Sequence, residues 1–338
     1  VASYKELDLY PEGDARPGQR GWIAAHLLAL RSELARQVLD ERRPNSLIVG
    51  SWNIRHFDGG RPRLDESYHY IAEIVDHFDI CAVQELKPDL APVRRLAGLL
   101  GPNWTYFVTD VTAGVPGNSE RMAIFYNTDR VVFRNLIGEV VLPADALIDG
   151  RQIARTPFFA AFQASWFRFT LCSAHIHFGS EAAADLTLRA REVGTIAAIL
   201  AERARAADEV YVLLGDMNIE HPDDDIMAAL RAEGFDAPLL GPTNLGGTRH
   251  FDQIAFSGNH DRTRMLRAGS FDWRAAVYRA DEVADYRAAA EAERGEAYAD
   301  WAGYYPQWCT HEMSDHLPVW IELEIDYSDD YLRRFIPG

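Results

Sequence analysis

"VYVLLGDMN", residues 210–218, is the stretch from which the rest of the chain is best read. Val210 to Leu214 form a short apolar run, the kind that lies inside a sheet covered on both faces. The run stops at Gly215 and delivers Asp216 and Asn218, with Glu220, His221, Asp223, Asp224 and Asp225 close behind. A carboxylate at the tip of a buried strand is costly to desolvate unless metal, histidine or water partners it. On local sequence alone, an Asx-turn explains Asp216 and Asn218 as well as chemistry does. The other strand ends decide between the two.

They repeat the pattern. Asn53 ends "LIVGSWN", Glu85 ends "ICAVQE" and His175 ends "FTLCSAH"; Asp252 opens "DQIAF", while Asp315 and His316 precede "LPVWIEL". Six apolar strands thus carry ionisable or amide groups at their tips, and such tips can meet on one rim of a sheet stack. Carboxylate and amide oxygens with histidines suit magnesium or manganese rather than zinc. The acids at 223–225 lack the alternating spacing and central glycine of a calcium loop and read as a helix N-terminus, so calcium enters only as a structural ion. His177, two residues beyond His175, reads as a structural histidine.

Between these strands run helical patterns. Ile23, Leu27, Leu30, Leu34 and Val38 recur at three- and four-residue steps, and further helices are expected near 68–78, 89–100, 184–206 and 223–232. Strands also follow one another directly, as in "WTYFVTD" with "RMAIFYN" and "FFAAFQASW" with "FRFTLCSAHI", which favours mixed sheets over a purely parallel fold. The reading is an extended lead-in and packed helix over 1–45, then a single domain over 46–338 with a helical insertion near 262–310. Residues 281–300, with seven acids against two arginines, read as a solvated helix.

The chain of 338 residues has 34 basic against 51 acidic side chains, a formal charge of −17, which disfavours a general nucleic-acid coating protein. No apolar run reaches the ~18 residues of a membrane span. Three scattered cysteines, Cys81, Cys172 and Cys309, fit neither a zinc site nor a disulfide framework. With no basic-then-apolar leader at the start, a cytoplasmic, reducing compartment is expected, secretion being admitted if the N-terminus has been trimmed. No obligate protein partner is indicated.

"SWNIRHF", "AVQE", "SERMAIFYN", "CSAHIHFG", "LLGDMN", "FDQIAFS" and "SDHLPVW" stand in an order that resembles the motif set of the endonuclease/exonuclease/phosphatase superfamily, over roughly residues 46–325. The resemblance implies an α/β fold, a four-layer αββα sandwich of two mixed β-sheets. Its detail is similar to the deoxyribonuclease I type: Glu120 and His175 match that type's glutamate–histidine pair, Arg155 matches a substrate-contacting arginine, Lys87 falls at a basic position, and Arg55 stands where abasic-site endonucleases place an aspartate; Lys87 and Arg55 are expected on the substrate side. Asn118 stands where that type has a DNA-contacting tyrosine, and the stretch from Asp252 to Asp315 is longer than usual.

The resemblance implies a phosphodiester hydrolase dependent on Mg2+ or Mn2+, with metal at Glu85, Asn53 and Asp315. Asp216 and Asn218 are expected to position the water or a phosphoryl oxygen. His316, oriented by Asp252, is expected as general base, and His175, oriented by Glu120, as general acid; Asp216 is the rival base. The expected substrate and partner is nucleic acid, DNA before RNA. A lipid-headgroup or small-molecule phosphoester is the alternative, and a catalytically silent binding protein the third reading.

Overall fold

The computed structural model describes residues 2–39, 42–59, 61–112, 119–257 and 262–336. Eleven strands among them form two sheets. The first holds β1 (Ser46–Phe57), β2 (Ile80–Leu86), β3 (Trp104–Val108), β4 (Arg121–Asn127), β10 (Met265–Ser270) and β11 (Val319–Glu324), in the order β10-β11-β1-β2-β4-β3. The second holds β5 (Val132–Glu139), β6 (Phe158–Ala164), β7 (Phe167–His175), β8 (Val210–Asp216) and β9 (Asp252–Ser257), in that order. Each sheet is mixed: β1 runs parallel to β2 and β7 to β8, and the other neighbours are antiparallel.

The two-residue period of a strand explains the layers. Leu47, Val49, Ile80 and Ala82 of the first sheet pack against Phe162, Leu171, Val212 and Leu214 of the second. The alternate residues Ile48, Trp52, Cys81 and Val83 face a helical layer made by α1 (Arg20–Gln37), α2 (Asp65–Asp76), α3 (Ala91–Leu100), α6 (Val283–Arg294) and α7 (Trp301–Glu312). On the far side Cys172, Tyr211 and Leu213 pack under α4 (Ala183–Ala207) and α5 (Asp225–Ala232). The result is a four-layer αββα sandwich. Strands buried on both faces need no polar alternation, hence the unbroken apolar runs. The three cysteines are buried and unbridged, and no helix among the described residues is long and apolar enough to cross a membrane.

Some segments depart from expectation. The lead-in is not wholly extended: Lys5–Leu9 form a 3-10 turn, and Tyr4, Leu7 and Tyr10 pack on the core. The acidic segment 281–300 is only in part a solvated helix: most of it is exposed, but α6 buries Tyr286 and Ala290 in the helical layer, where Tyr286 meets Trp22, Glu66 and Trp308. The stretch expected as a helical insertion near 262–310 contains β10 before it reaches α6 and α7. β5 and β10 are edge strands, half exposed and carrying polar residues, so no apolar run announces them. α7 contains Gly303 and Pro306, which disguise a helix driven by burial of Trp301, Tyr305 and Trp308.

Candidate active site

The strand tips are brought together by register. His175 of β7 pairs with Asp216 of β8, and Asp216 pairs with Asp252 of β9. Gly215 makes this approach feasible: its φ is +129°, and a Cβ there would collide with the Ala174 carbonyl oxygen. In the first sheet the β1–β2 register breaks between Asn53 and Phe57, and the β2–β4 register breaks between Val83 and Leu86. Glu85 (φ 62°) and His56 (φ 45°) both take the left-handed conformation within these irregular stretches. Bulges and left-handed non-glycine residues side by side re-aim side chains, and they gather at functional sites.

One carboxylate oxygen is the hub. Asp216 Oδ2 accepts from Asn53 Nδ2 at 2.9 Å and lies 3.6 Å from His175 Nε2 and 3.9 Å from His316 Nε2. The far side of each ring meets a buried carboxylate: His316 Nδ1 is 2.7 Å from Asp252 Oδ2, and His175 Nδ1 is 3.2 Å from Glu120 Oε2. Asn53 Nδ2 also donates to Glu85 Oε1 at 3.0 Å, so one buried amide joins the hub to Glu85. Lys87 Nζ, 3.2 Å from Glu120 Oε1, and Arg155 Nε, 2.9 Å from Oε2, complete a cationic cage around Glu120.

Burial acts against the charge on His316, but Asp252 and Asp216 outweigh it and hold the imidazole well above its usual pKa. Burial raises Asp252. Glu120 is pulled down to about 2: burial opposes this, and His175, Arg155 and Lys87 overcome it. Glu85 is lowered by the same contest, burial losing to His175 and to the hydrogen bonds from the His56 backbone and Asn53. Two histidines with separate carboxylate partners on either side of a third carboxylate can take up and release protons at one reacting centre.

The donor set fits a hard divalent cation. Asn53 Oδ1 is buried with no hydrogen-bond partner, on the same amide whose nitrogen binds the Glu85 carboxylate. An amide oxygen beside a carboxylate is what magnesium or manganese takes from a protein. Ligand-capable atoms of His56, Glu85 and Glu120 lie within 4.8 Å of one another, as do those of Asp216, Asp252 and His316.

Other residues singled out by the sequence take supporting or outlying positions. Asp315 is half exposed, its Oδ2 4.0 Å from Arg55 Nε. Arg55 donates to Thr310 of α7 and so is tied to the helical layer. Asn218, at φ 52°, spends its side-chain N–H on the Ile176 carbonyl at 2.7 Å, while its backbone N–H binds Asp216 Oδ1 at 3.0 Å. It shapes the turn that holds Asp216. Arg155 is buried, with its Nε on Glu120. Asp224 caps α5, accepting from the Met227 N–H at 2.8 Å. Asn118 lies outside the described residues.

Several groups outside the strand-tip pattern also join the site. Ser314 Oγ donates to the Asn53 carbonyl at 2.6 Å and accepts from the His316 N–H at 3.0 Å, while Trp52 Nε1 donates to the His316 carbonyl at 2.9 Å. Buried Arg189 of α4 donates to the Asn218 carbonyl at 2.8 Å. His56 reaches Glu85 through its backbone N–H (3.0 Å to Oε2) and its ring, Nδ1 lying 3.3 Å from the same oxygen. Of these only His56 left a sequence signal, as a histidine three residues past Asn53.

The sequence profile of the Endonuclease/Exonuclease/phosphatase family matches residues 50–317. Among curated proteins nothing matches. Solved structures share the fold at low identity. An endonuclease/exonuclease/phosphatase family protein from Bacteroides thetaiotaomicron is 18% identical, with a TM-score of 0.55 over 84% of this chain and 99% of its own. A mannosyl-6-phosphatase of the same organism is 19% identical, with a TM-score of 0.55 over 82% and 99%. D. rerio TDP2 complexed with a single-strand DNA product is 14% identical, with a TM-score of 0.54 over 82% and 99%.

Proposed function

Because the chain belongs to the endonuclease/exonuclease/phosphatase family, a family of phosphoester hydrolases, we propose that it is a divalent-metal-dependent phosphodiester hydrolase acting on DNA. The observation that carries this reading is the pair of carboxylate-backed histidines whose Nε2 atoms face the single oxygen Asp216 Oδ2. Phosphodiester hydrolysis requires neutralising a pentacovalent transition state, removing a proton from water and protonating the leaving oxygen. Glu85 and Asn53 Oδ1 would hold Mg2+ or Mn2+, which supplies charge neutralisation when bound. Asp216 orients the water. His316, aligned by Asp252, removes its proton; His175, aligned by Glu120, protonates the leaving oxygen. Lys87 and Arg155 act through Glu120, keeping that carboxylate ionised against His175.

A second reading, hydrolysis of a lipid-headgroup or small-molecule phosphoester, is favoured by one observation. Lys87 and Arg155 are spent on Glu120, and Arg249 near the rim is paired with Glu181 and Glu220. In a chain of charge −17 this leaves little local attraction for a long polyanion. Plasmid DNA, single-stranded DNA, RNA, sphingomyelin and bis-p-nitrophenyl phosphate, each with Mg2+ or Mn2+ and with chelator, separate the two. Plasmid nicking abolished by chelator is the expected result. Cleavage confined to sphingomyelin or the small ester moves the assignment to the second reading, and no turnover on any substrate overturns both.

A further inference from the structure

We propose that His56 is a nitrogen ligand of the divalent cation held at Glu85, and that it biases the site toward Mn2+ over Mg2+. The inference rests on the metal-dependent reading above and concerns a residue that reading does not use. Three observations support it. First, His56 Nδ1 lies 3.3 Å from Glu85 Oε2, buried and without a hydrogen-bond partner, although the side chain as a whole is 45% exposed. Nδ1 and Oε2 are adjacent nitrogen and oxygen donors, so one cation beside the pair can take both.

Second, the backbone is bent to produce this approach. His56 at φ 45° and Glu85 at φ 62° sit at breaks in strand register, and the His56 N–H clamps the carboxylate oxygen that its own ring faces. A left-handed histidine is an uncommon conformation that the surrounding structure must hold in place. Third, the spacing suits ligation. Two ligands at right angles on an octahedral ion with bonds of about 2.1 Å lie about 3 Å apart, close to the 3.3 Å between Nδ1 and Oε2. Asn53 Oδ1, orphaned on the amide whose nitrogen binds Glu85 Oε1, adds an oxygen donor.

The chemical consequence follows from ligand type. Magnesium takes oxygen and binds imidazole poorly, whereas manganese accepts both and gains from a nitrogen donor. The test is binding in the absence of any substrate, in wild type and in His56→Asn, which removes the imidazole but tolerates the left-handed backbone. Calorimetric titration with Mn2+ and with Mg2+ gives the affinity ratio, and pulsed EPR of the Mn2+-loaded protein detects nitrogen coordinated to the ion.

Wild type is expected to bind Mn2+ about tenfold or more tighter than Mg2+, with His56→Asn losing most of that margin. The nitrogen modulation present in wild type should be lost in the variant. An unchanged ratio with the modulation retained, or no modulation in wild type, overturns the role of His56 and leaves the hydrolase reading standing. If wild type binds neither ion, the metal-dependent hydrolase reading falls and this proposal with it.

Discussion

Asn53→Asp probes the junction of the site with a change of one atom. In the native site Asn53 Nδ2 donates to Glu85 Oε1 at 3.0 Å and to Asp216 Oδ2 at 2.9 Å, fully buried. Hydrogen bonds to charged acceptors contribute about 1.5–3 kcal/mol each, so losing both costs about 3–6 kcal/mol. A third carboxylate among two others takes up a proton, which restores one donor; the second lost bond, about 1.5–3 kcal/mol, and the cost of protonating the new carboxyl at neutral pH together come to at least about 4 kcal/mol. With ~2.1 cal/mol/K per residue, the 338-residue chain unfolds with an entropy of roughly 0.7 kcal/mol/K, so the melting point falls by at least about 6 °C. That drop is expected in chelator. With saturating Mn2+ the new carboxylate becomes a ligand, and the variant should recover more than wild type gains. Thermal unfolding followed by circular dichroism, with and without Mn2+, measures both. A midpoint in chelator within about 1 °C of wild type would show that the amide does not bridge the two carboxylates. A metal-induced gain no larger than that of wild type would show that no cation sits beside this side chain.

Four further outcomes are expected. His316→Ala and His175→Ala should each lower turnover by about two to four powers of ten, and near-native turnover in either removes that residue from the proton chemistry. With His316 as base, and its pKa held well above normal by Asp252 and Asp216, kcat/KM should keep rising with pH beyond neutrality; a profile that falls above neutral pH assigns His316 as the acid. Glu120, lowered from 4.5 to about 2, contributes about 3 kcal/mol of stability that is fully present above its unfolded pKa and is lost as pH falls through the folded one. Urea unfolding of Glu120→Gln should therefore show a flatter acid limb between those two values, and an unchanged limb would contradict the cage of His175, Arg155 and Lys87. Gly215→Ala, which drives a Cβ into the Ala174 carbonyl at φ +129°, should cost about 3 kcal/mol or more in denaturant unfolding; a loss under about 1 kcal/mol would mean that β7 and β8 tolerate separation at their tips.

The layers were legible because strands buried on both faces leave continuous apolar runs, and the site's skeleton was legible because a charged residue ending such a run conflicts with burial. Asn53, Glu85, His175, Asp216, Asp252 and His316 all carry that signature. Arg55 and Asp315 face each other, 4.0 Å apart, for geometric reasons. Arg55 shares the face of Asn53 only if the strand stays regular, and the register breaks between Asn53 and Phe57. Asp315 sits in a bend before His316, outside β11, so strand alternation does not fix its direction, and its carboxylate faces Arg55. Ser314, Trp52 and Arg189 act through backbone carbonyls and N–H groups, which no residue pattern records. His56 depends on a left-handed φ at a bulge, equally invisible in one dimension. In the acidic segment, charge count concealed Tyr286, whose hydroxyl donates to buried Glu66 at 2.7 Å and which needs a covered face.

The most direct test of the whole account is an anomalous difference map from crystals soaked in Mn2+. The ion is expected within about 2 Å of the Glu85 carboxylate and of Asn53 Oδ1, on the same rim as Asp216 and both histidines. Occupied Mn2+ sites only on the outer acidic surface, with nothing beside Glu85, would contradict it.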